Sequence, residues 1–487
     1  MPAALRSLPG VTALLAAGLL AGCGSGPPTA TRPVSPGGTS AGGSATAPSV
    51  PGPSEVGAGP TVTGAPVTGD APWPTYGGDG ARTGLSRGAP PAGALRPAWT
   101  AHVDGAVYGE PLVADGAVLV ATEHDTVTAL DAATGAVRWS RHLATPVDGA
   151  SLPCGDIDPS GITSTPAVDP ATGTLWVVAF EQAAGGPAHH LVGLDVRTGA
   201  LTSDRVVDPP GLSPTVEQQR GALLVAGGSV LVAYGGLDGD CGPYKGAVVA
   251  APEAGGAPTA FVVPAAREGG IWSPPGPVAA AGGHVLVTTG NAASRSVYDD
   301  ANAVLALTLP GPTVTGLYAP ADWAQLSAAD LDLSSTSPAV LADGRVVAAG
   351  KQGVAYLLAG GDLGGVGHQA AVATACAGSG AYGGMAVDGT TVVVPCRNGL
   401  RALTVGTGSL TPAWQLATPG PGTPLVAGGK VFDLARSGEV DEVDPATGAV
   451  TARATLPPAQ TPFPALSGAG ARIYAATGSV VTALTGA

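Results

Sequence analysis

Short apolar runs separated by polar turn residues follow one another along most of the chain. Residues 117–121 (Ala-Val-Leu-Val-Ala) and 230–233 (Val-Leu-Val-Ala) are typical, and each follows a Gly or a Ser. Runs of about four to eight residues with this punctuation predict β-strands. Beyond residue 23 no apolar run reaches about 18 residues, the length of a membrane-spanning helix. The pattern predicts an all-β fold for residues 73–487.

One strand-and-turn unit recurs along this region. Its clearest copy, residues 126–139, reads Thr-Val-Thr-Ala-Leu-Asp-Ala-Ala-Thr-Gly-Ala-Val-Arg-Trp. The alternating apolar residues before Asp131 predict a strand with one buried face. The sequence Asp-x-x-Thr-Gly predicts a tight turn, because Asp accepts hydrogen bonds from the backbone that follows and Gly adopts positive φ. Trp139 then places a large apolar side chain at the start of the next strand.

The unit occurs eight times. Its aspartate, or the residue at the same place, lies at 131, 195, 252, 308, 359, 404, 444 and 485, a mean spacing of about 51 residues. Four strands in about 50 residues suit one blade of a β-propeller, so we predict eight blades. Pairing of residues 97–103 with 480–484 would close the ring and remove its exposed edges. The alternative is a β-sandwich with coincidental periodicity.

The first 72 residues follow a different pattern. Arg6 precedes an apolar run at 11–20 and the sequence Leu-Ala-Gly-Cys that ends at Cys23, which predicts a secretory signal and resembles a lipobox. We expect cleavage before Cys23 and a diacylated thiol that anchors the chain at the extracytoplasmic face of the cell membrane. The alternative is an ordinary signal peptide. Residues 24–72 contain no aromatic residue and three charged ones, which predicts a disordered tether. The predicted organisation is a signal peptide at 1–22, a lipid-anchored linker at 23–72 and a propeller at 73–487.

Charged and titratable residues narrow the range of partners. The formal net charge is −14, and Lys245, Lys351 and Lys430 are the only lysines. This balance disfavours nucleic acid and direct adhesion to anionic lipid, and we expect a monomer. His189 and His190 follow Gly-Gly-Pro-Ala, which indicates a loop tip rather than a metal-binding pair.

Four cysteines remain after Cys23. An exported protein meets an oxidising compartment, so the even number predicts two disulfides, for which three connectivities are possible. Cys376 and Cys396 are 20 residues apart and flank a predicted strand at 390–394, so we pair them. This leaves Cys154 to pair with Cys241. A zinc site would need tighter clustering with nearby histidines.

The opening of the folded region carries a family resemblance. Residues 73–84, Trp-Pro-Thr-Tyr-Gly-Gly-Asp-Gly-Ala-Arg-Thr-Gly, and the eight repeats resemble the pyrroloquinoline-quinone (PQQ)-type eight-bladed propellers over roughly 73–487. That family includes quinoprotein dehydrogenases and non-catalytic propellers of the BamB type, a lipoprotein of the outer-membrane assembly machine. Residues 333–338 and 350–353 and the segment between Cys376 and Cys396 resemble exported actinobacterial members. Fold alone does not choose between the two kinds of member.

Four segments resemble the cofactor pocket of the dehydrogenases. Trp272 matches the tryptophan that stacks on the quinone, and Lys351 matches the basic residue that contacts it. Asn291, in Thr-Thr-Gly-Asn, matches a Ca²⁺ ligand, and Asp330 and Asp332 match the acidic segment that holds the catalytic base. By this resemblance Ca²⁺ polarises a quinone carbonyl while the aspartate takes the alcohol proton. Each residue also has a structural explanation, as interblade packing, a turn or a strand-end charge.

Other positions depart from the dehydrogenases. Those enzymes have two adjacent cysteines over the quinone, whereas Cys154 stands alone. Their Ca²⁺-binding Glu falls at or beside Cys241, with Asp240 as the adjacent carboxylate, and a thiol is a poor ligand for a hard cation. The sequence contains no Cys-x-x-Cys-His haem motif, and a Cys154–Cys241 bridge would fill part of the cofactor space. We therefore predict a non-catalytic binding or scaffolding module without a cofactor, with a protein or small-molecule ligand at the propeller funnel. The alternative is a PQQ- and Ca²⁺-dependent dehydrogenase of alcohols, including polymeric ones.

Overall fold

The apolar runs form mainly antiparallel sheets, and eight such sheets are the blades of a β-propeller. The computed structural model describes residues 72–88, 93–459 and 461–486. The predicted signal peptide, Cys23 and the linker up to residue 71 lie outside the described residues. The prediction of an all-β, eight-bladed fold is confirmed.

The strands of the first four blades are given in chain order. Blade 1 contains Leu112–Ala114, Ala117–Ala121, Thr126–Asp131 and Val137–His142. Blade 2 contains Ala167–Asp169, Thr174–Ala183, Gly186–Asp195 and Leu201–Val206. Blade 3 contains Glu217–Gln218, Leu224–Ala226, Ser229–Gly236, Ala247–Pro252 and Thr259–Val262. Blade 4 contains Val278–Ala279, Val285–Thr288, Val304–Thr308 and Thr313–Ala319, with Gly365–Val366 added in parallel.

The remaining blades follow the same plan. Blade 5 contains Ala339–Val340, Val346–Ala349, Val354–Leu358 and Ala371–Thr374. Blade 6 contains Ala386–Asp388, Thr391–Cys396, Gly399–Val405 and Leu410–Leu416. Blade 7 contains Leu425–Ala427, Lys430–Leu434, Glu439–Val443 and Val450–Thr455, with Leu85–Ser86 added in parallel. Blade 8 contains Leu466–Ala469, Arg472–Thr477, Val480–Thr485 and the early strand Arg96–His102.

The pairing of Arg96–His102 with Val480–Thr485 joins the beginning of the propeller to its end. The predicted ring closure is therefore confirmed. Helical structure is sparse: the one α-helix of the described residues is Trp323–Ala328, and 3-10 turns occupy Tyr76–Gly78, Gly149–Ser151, Ala281–Gly283 and Leu333–Ser335. None of the described helices is long and apolar enough to cross a membrane.

The inner strands are buried on both faces. In Ala117–Ala121 every residue is buried, and Thr126–Asp131 is buried up to its last residue. The prediction of one buried face for this strand was wrong, because each blade is packed between two neighbours. The buried Thr128 hydroxyl lies 3.0 Å from the Ser140 hydroxyl, so the polar face is satisfied by hydrogen bonding.

The Asp-x-x-Thr-Gly turn of one blade contacts a tryptophan of the neighbouring blade. Asp131 Oδ1 accepts a hydrogen bond from the Thr134 backbone at 2.9 Å, and Gly135 has φ +75°. The Trp99 ring lies against Gly135, where a Cβ atom would be 2.6 Å from it, and Trp99 Nε1 donates to Ala132 O at 3.1 Å. The same contact joins Trp139 to Gly199 and Trp414 to Gly448. Each glycine is thus required both by the turn and by the tryptophan of another blade.

Residues 73–84 contact the segments that lead into several blades. The buried Arg82 donates to Leu223 O at 2.8 Å and to Pro277 O at 3.2 Å, just before the strands Leu224–Ala226 and Val278–Ala279. The Tyr76 hydroxyl lies 2.5 Å from the Thr423 hydroxyl, just before Leu425–Ala427. This opening segment therefore lies across the central axis.

Candidate functional site

A cavity of about 390 Å³ lies on the propeller axis. Its walls come from loops of many blades, which places it at the centre of the ring. The volume is within the range of about 300–1,000 Å³ that is usual for ligand pockets. Aromatic and charged side chains dominate its lining: Tyr108, Asp156, Arg220, Asp238, Asp240, Tyr244, Trp272, Asp332, Lys351, Tyr382 and Phe463.

An ion-pair network on one wall contains most of the sequence-predicted residues. Lys351 Nζ lies 2.6 Å from Asp332 Oδ2 and 2.9 Å from Asp330 Oδ1. The Asn291 backbone donates to Asp332 Oδ1 at 2.7 Å, and the Asn291 side-chain amide faces the same carboxylate. Lys351 Nζ also lies 5.5 Å from the centre of the Trp272 ring, which is a cation–π contact. Asp332, Lys351 and Trp272 line the cavity, with Asn291 and Asp330 beside them.

Burial and charge act in opposite directions on this pair. Burial raises the pKa of Asp332, and Lys351 with the Asn291 backbone lowers it by less. Burial lowers the pKa of Lys351, but Asp332 and Asp330 together outweigh it and hold that pKa above its ordinary value. Lys351 is therefore a permanent cation in this wall.

Aromatic rings line the part of the cavity beside Lys351. The rings of Trp272 and Phe463 have centres 6.4 Å apart, and Tyr382 stacks on Phe463 at 6.0 Å with an angle of 13° between the planes. Phe463 has φ +57°. A bulky residue in the left-handed region is strained, and such strain concentrates at functional sites. The loop thus holds this ring in the cavity at an energetic cost.

Sequence reasoning missed Arg220. Its side chain is buried, and its guanidinium carbon lies 5.3 Å from the Tyr108 ring centre and 5.9 Å from the Phe463 ring centre. Its guanidinium also donates to Thr163 O and Pro462 O, each at 3.3 Å. These partners come from distant parts of the chain, so no local motif predicts the contacts. The sequence feature that could have pointed to Arg220 is the polar run Glu-Gln-Gln-Arg before an apolar strand.

The mouth of the cavity is acidic. Asp156, Asp238 and Asp240 are exposed residues of its lining. Burial and then the charges of Asp156 and Asp240 raise the pKa of Asp238. Asp240, the predicted metal ligand, accepts a hydrogen bond from the Tyr244 hydroxyl at 2.6 Å.

Both predicted disulfides are present. Cys154–Cys241 joins loops 87 residues apart in sequence, and Cys376–Cys396 joins positions 20 apart. The first bridge lies beside Gly239, at the wall of the cavity, where a Cβ atom on that glycine would be 3.6 Å from Cys154 Sγ. Neither Cys154 nor Cys241 is a lining residue, so the bridge ties the acidic loops together and leaves the cavity open.

Comparison with known families identifies the fold's relatives. A family profile described as "Outer membrane protein assembly factor BamB" matches residues 96–291 and 312–483, most of the propeller. The chain belongs to this family. No curated protein matches it.

Solved structures that resemble this BamB-family propeller include two dehydrogenases and a BamB protein. The quinohemoprotein alcohol dehydrogenase of Comamonas testosteroni is 17% identical, with a TM-score of 0.65 over 85% of this chain and 80% of that one. A europium-containing methanol dehydrogenase is 13% identical, with a TM-score of 0.65 over 85% and 98%. BamB from Moraxella catarrhalis is 17% identical, with a TM-score of 0.53 over 80% and 97%. At these identities the likeness concerns the fold.

The described residues of this BamB-family cavity bring few oxygen ligands together for a Ca²⁺ ion. A calcium ion takes about six to eight oxygen ligands. The two oxygens of Asp332 already accept from Lys351 and Asn291. Asp240, the other predicted ligand, accepts a hydrogen bond from the Tyr244 hydroxyl, and the neighbouring Cys241 is in a disulfide. Among the described residues, the one group of three or more His, Cys, Asp or Glu side chains with converging ligand atoms lies elsewhere, in blade 2.

Proposed function

We propose that this protein is a lipid-anchored BamB-type propeller of the cell envelope that binds a protein or small-molecule ligand in its axial cavity and catalyses no reaction. The proposal depends on the burial of Asp332 and on its pairing with Lys351. This side chain is 4% exposed, and its oxygens accept from Lys351 at 2.6 Å and from the Asn291 backbone at 2.7 Å. A general base must lie within hydrogen-bond reach of the substrate proton. The ion pair of Asp332 with Lys351 supports a structural role for this carboxylate instead.

Lys351 supplies the positive charge that the buried acid requires. A desolvated carboxylate is tolerated when a cation and hydrogen bonds compensate it. Lys351 provides this compensation for the buried Asp332 from within the chain, and it also pairs with the exposed Asp330. The cavity beside this network and the rings of Trp272, Tyr382 and Phe463 is open, which supports a role in ligand binding.

Addition of PQQ and Ca²⁺ to the purified protein tests the non-catalytic role. We expect no change in the absorption spectrum of PQQ and no dye-linked oxidation of simple or polymeric alcohols. Stoichiometric PQQ binding with alcohol-dependent dye reduction would contradict the proposal.

The binding role is tested by using the anchored protein to capture partners from its own envelope. The captured ligand should be lost with Phe463→Ala. It should be kept with Val137→Ala, a control substitution at an exposed position of blade 1.

The envelope location is proposed from Cys23, which lies outside the described residues. We expect the mature protein to partition into detergent and to incorporate a labelled fatty acid. Cys23→Ala should abolish both while leaving the propeller folded. A wild-type protein that remains in the aqueous phase without label would contradict the anchor.

A second candidate function is a PQQ- and Ca²⁺-dependent alcohol dehydrogenase. It is favoured by the convergence of Trp272, Asn291, Asp332 and Lys351 at one cavity. If the dye-linked assay is positive, Asp332→Ala should abolish activity, and Asp240→Asn should raise the Ca²⁺ concentration that activity requires. Activity that survives Asp332→Ala would place the base elsewhere.

A further inference from the structure

Three metal-ligating side chains lie on one face of blade 2. Glu181, His190 and Asp204 come from the adjacent strands Thr174–Ala183, Gly186–Asp195 and Leu201–Val206. His190 pairs with Ala179 on one side and with Val206 on the other. Glu181 and Asp204 are each two residues from these partners, and residues two apart in a strand share a face. We name Glu181, His190 and Asp204 the blade 2 triad.

The two carboxylates of the triad converge on a single nitrogen. His190 Nδ1 lies 3.0 Å from Glu181 Oε1 and 2.8 Å from Asp204 Oδ1. A ring nitrogen carries at most one proton, so a single N–H would have to serve both carboxylates. Two carboxylates held this close to each other also repel. The arrangement is thus suited to a small cation that binds all three groups at once.

The neighbouring histidine shows the contrast. His189 faces the other side of the strand, where it stacks on Phe180 at 4.3 Å and lies 5.2 Å from the Tyr234 ring. Its Nδ1 has one carboxylate partner, Asp208 Oδ1, at 2.8 Å. Both histidines lie in the strand Gly186–Asp195, so the sequence prediction of a loop tip was wrong. Their side chains lie in different environments on opposite faces of the strand.

We propose that the blade 2 triad binds a divalent transition-metal ion, with Zn²⁺ as the best match. The ligand atoms all lie within 4.8 Å of one another, and tetrahedral zinc separates its ligands by about 3.3 Å. One imidazole nitrogen and two carboxylate oxygens are ligands that zinc accepts, and three protein ligands leave one position for water.

The ion would join the three outer strands of blade 2. Thr174–Ala183 and Gly186–Asp195 have ten residues each and are the longest strands of the propeller among the described residues. Glu181 and His190 lie near the end of this long hairpin, and Asp204 lies on the edge strand. A metal bridge here fastens the edge strand to the hairpin.

Calorimetric titration of the full chain with ZnCl₂ tests the proposal. The protein is purified without a polyhistidine tag and stripped with a chelator. We expect one Zn²⁺ per chain, a rise in thermal midpoint on zinc addition and, with Co²⁺, visible absorption from a nitrogen–oxygen site. His190→Ala should weaken binding by roughly tenfold or more.

Two variants keep the test decisive. Asp204→Asn preserves shape at a side chain that is 47% exposed, so it should fold and still lose zinc affinity. His368→Ala removes an exposed histidine in another blade and should bind zinc as the wild type does. Absence of zinc binding by the wild type would overturn the proposal. So would binding that His190→Ala and Asp204→Asn leave unchanged while both variants are folded by circular dichroism.

Discussion

Replacement of Lys351 by Met probes the ion pair at the centre of the cavity wall. Met keeps most of the apolar stem over Trp272 but removes the ammonium group that lies 2.6 Å from Asp332 and 2.9 Å from Asp330. Asp332 is 4% exposed, so water compensates the lost partner poorly. A buried carboxylate left without its cation typically costs about 3–5 kcal/mol of stability.

Proton uptake by Asp332 sets an upper limit on this cost. Protonating an aspartate costs about 1.4 kcal/mol for each unit by which the pH exceeds its unfolded pKa of about 3.9. The limit is therefore about 4 kcal/mol at pH 7 and about 1.5 kcal/mol at pH 5. Without Lys351 the folded pKa of Asp332 rises further above the unfolded value, so the lost stability is regained as the pH falls. We expect Lys351→Met to lower the free energy of unfolding by about 3–4 kcal/mol at pH 7 and by less than half of that at pH 5.

Urea unfolding followed by tryptophan fluorescence measures both values. Each variant is compared with the wild type at the same pH, so that the titration of other groups cancels. Lys430→Met is the matched control, because Lys430 Nζ lies 3.8 Å from Glu442 and its side chain is 34% exposed. Such a surface pair contributes less than about 1 kcal/mol. A Lys351→Met loss that is equal at both pH values, or below about 1 kcal/mol at pH 7, would refute the reasoning.

Three other predictions concern stability. Burial raises the pKa of Glu110 to about 8 despite hydrogen bonds that lower it. The folded state therefore holds a proton that the unfolded state releases, so the free energy of unfolding falls as the pH rises from about 4.5 to 8. Glu110→Gln should flatten this pH dependence in thermal unfolding. Gly199 has φ +68°, and Gly199→Ala would put a Cβ atom 2.6 Å from the Trp139 ring, so it should lower the free energy of unfolding by roughly 2 kcal/mol or more. Gly185→Ala, with open space around it, should lower it little in the same urea assay. Mild reductant with alkylation and mass spectrometry should open the partly exposed Cys154–Cys241 bridge before Cys376–Cys396, whose cysteines are 2% and 1% exposed; reduction in the reverse order would contradict the burial argument.

The fold could be predicted wherever local chemistry repeats. The turns at Asp131, Asp195 and Asp444 announce themselves because the aspartate and glycine are both required by backbone geometry. The added parallel strands Leu85–Ser86 and Gly365–Val366 have two residues each, too few for a pattern. Their pairing depends on where the ring brings distant segments, so sequence periodicity could not reveal it.

The site was predictable in part for the same reason. Trp272, Asp332 and Lys351 are found through short motifs, and the structure brings them to one cavity. Arg220 and Phe463 come from separate loops without a motif, so only the folded ring shows that they face each other. The sequence also favoured a loop at His190 because Gly-Gly-Pro marks a turn; the turn is there, but the strand resumes directly after it.

Two buried charged side chains near the axis, Arg82 and Asp332, have partners within the chain. The buried Arg82 donates to backbone carbonyls ahead of blades 3 and 4 and so ties the opening segment to the ring. Lys351 neutralises Asp332 in the cavity wall, in the region where the dehydrogenase resemblance expected a metal-assisted site. Because a lysine ammonium is covalently fixed, it is present whether or not any ligand is bound. Solved structures with this fold include dehydrogenases and BamB, so the residues at the axis, rather than the fold, decide what a propeller does.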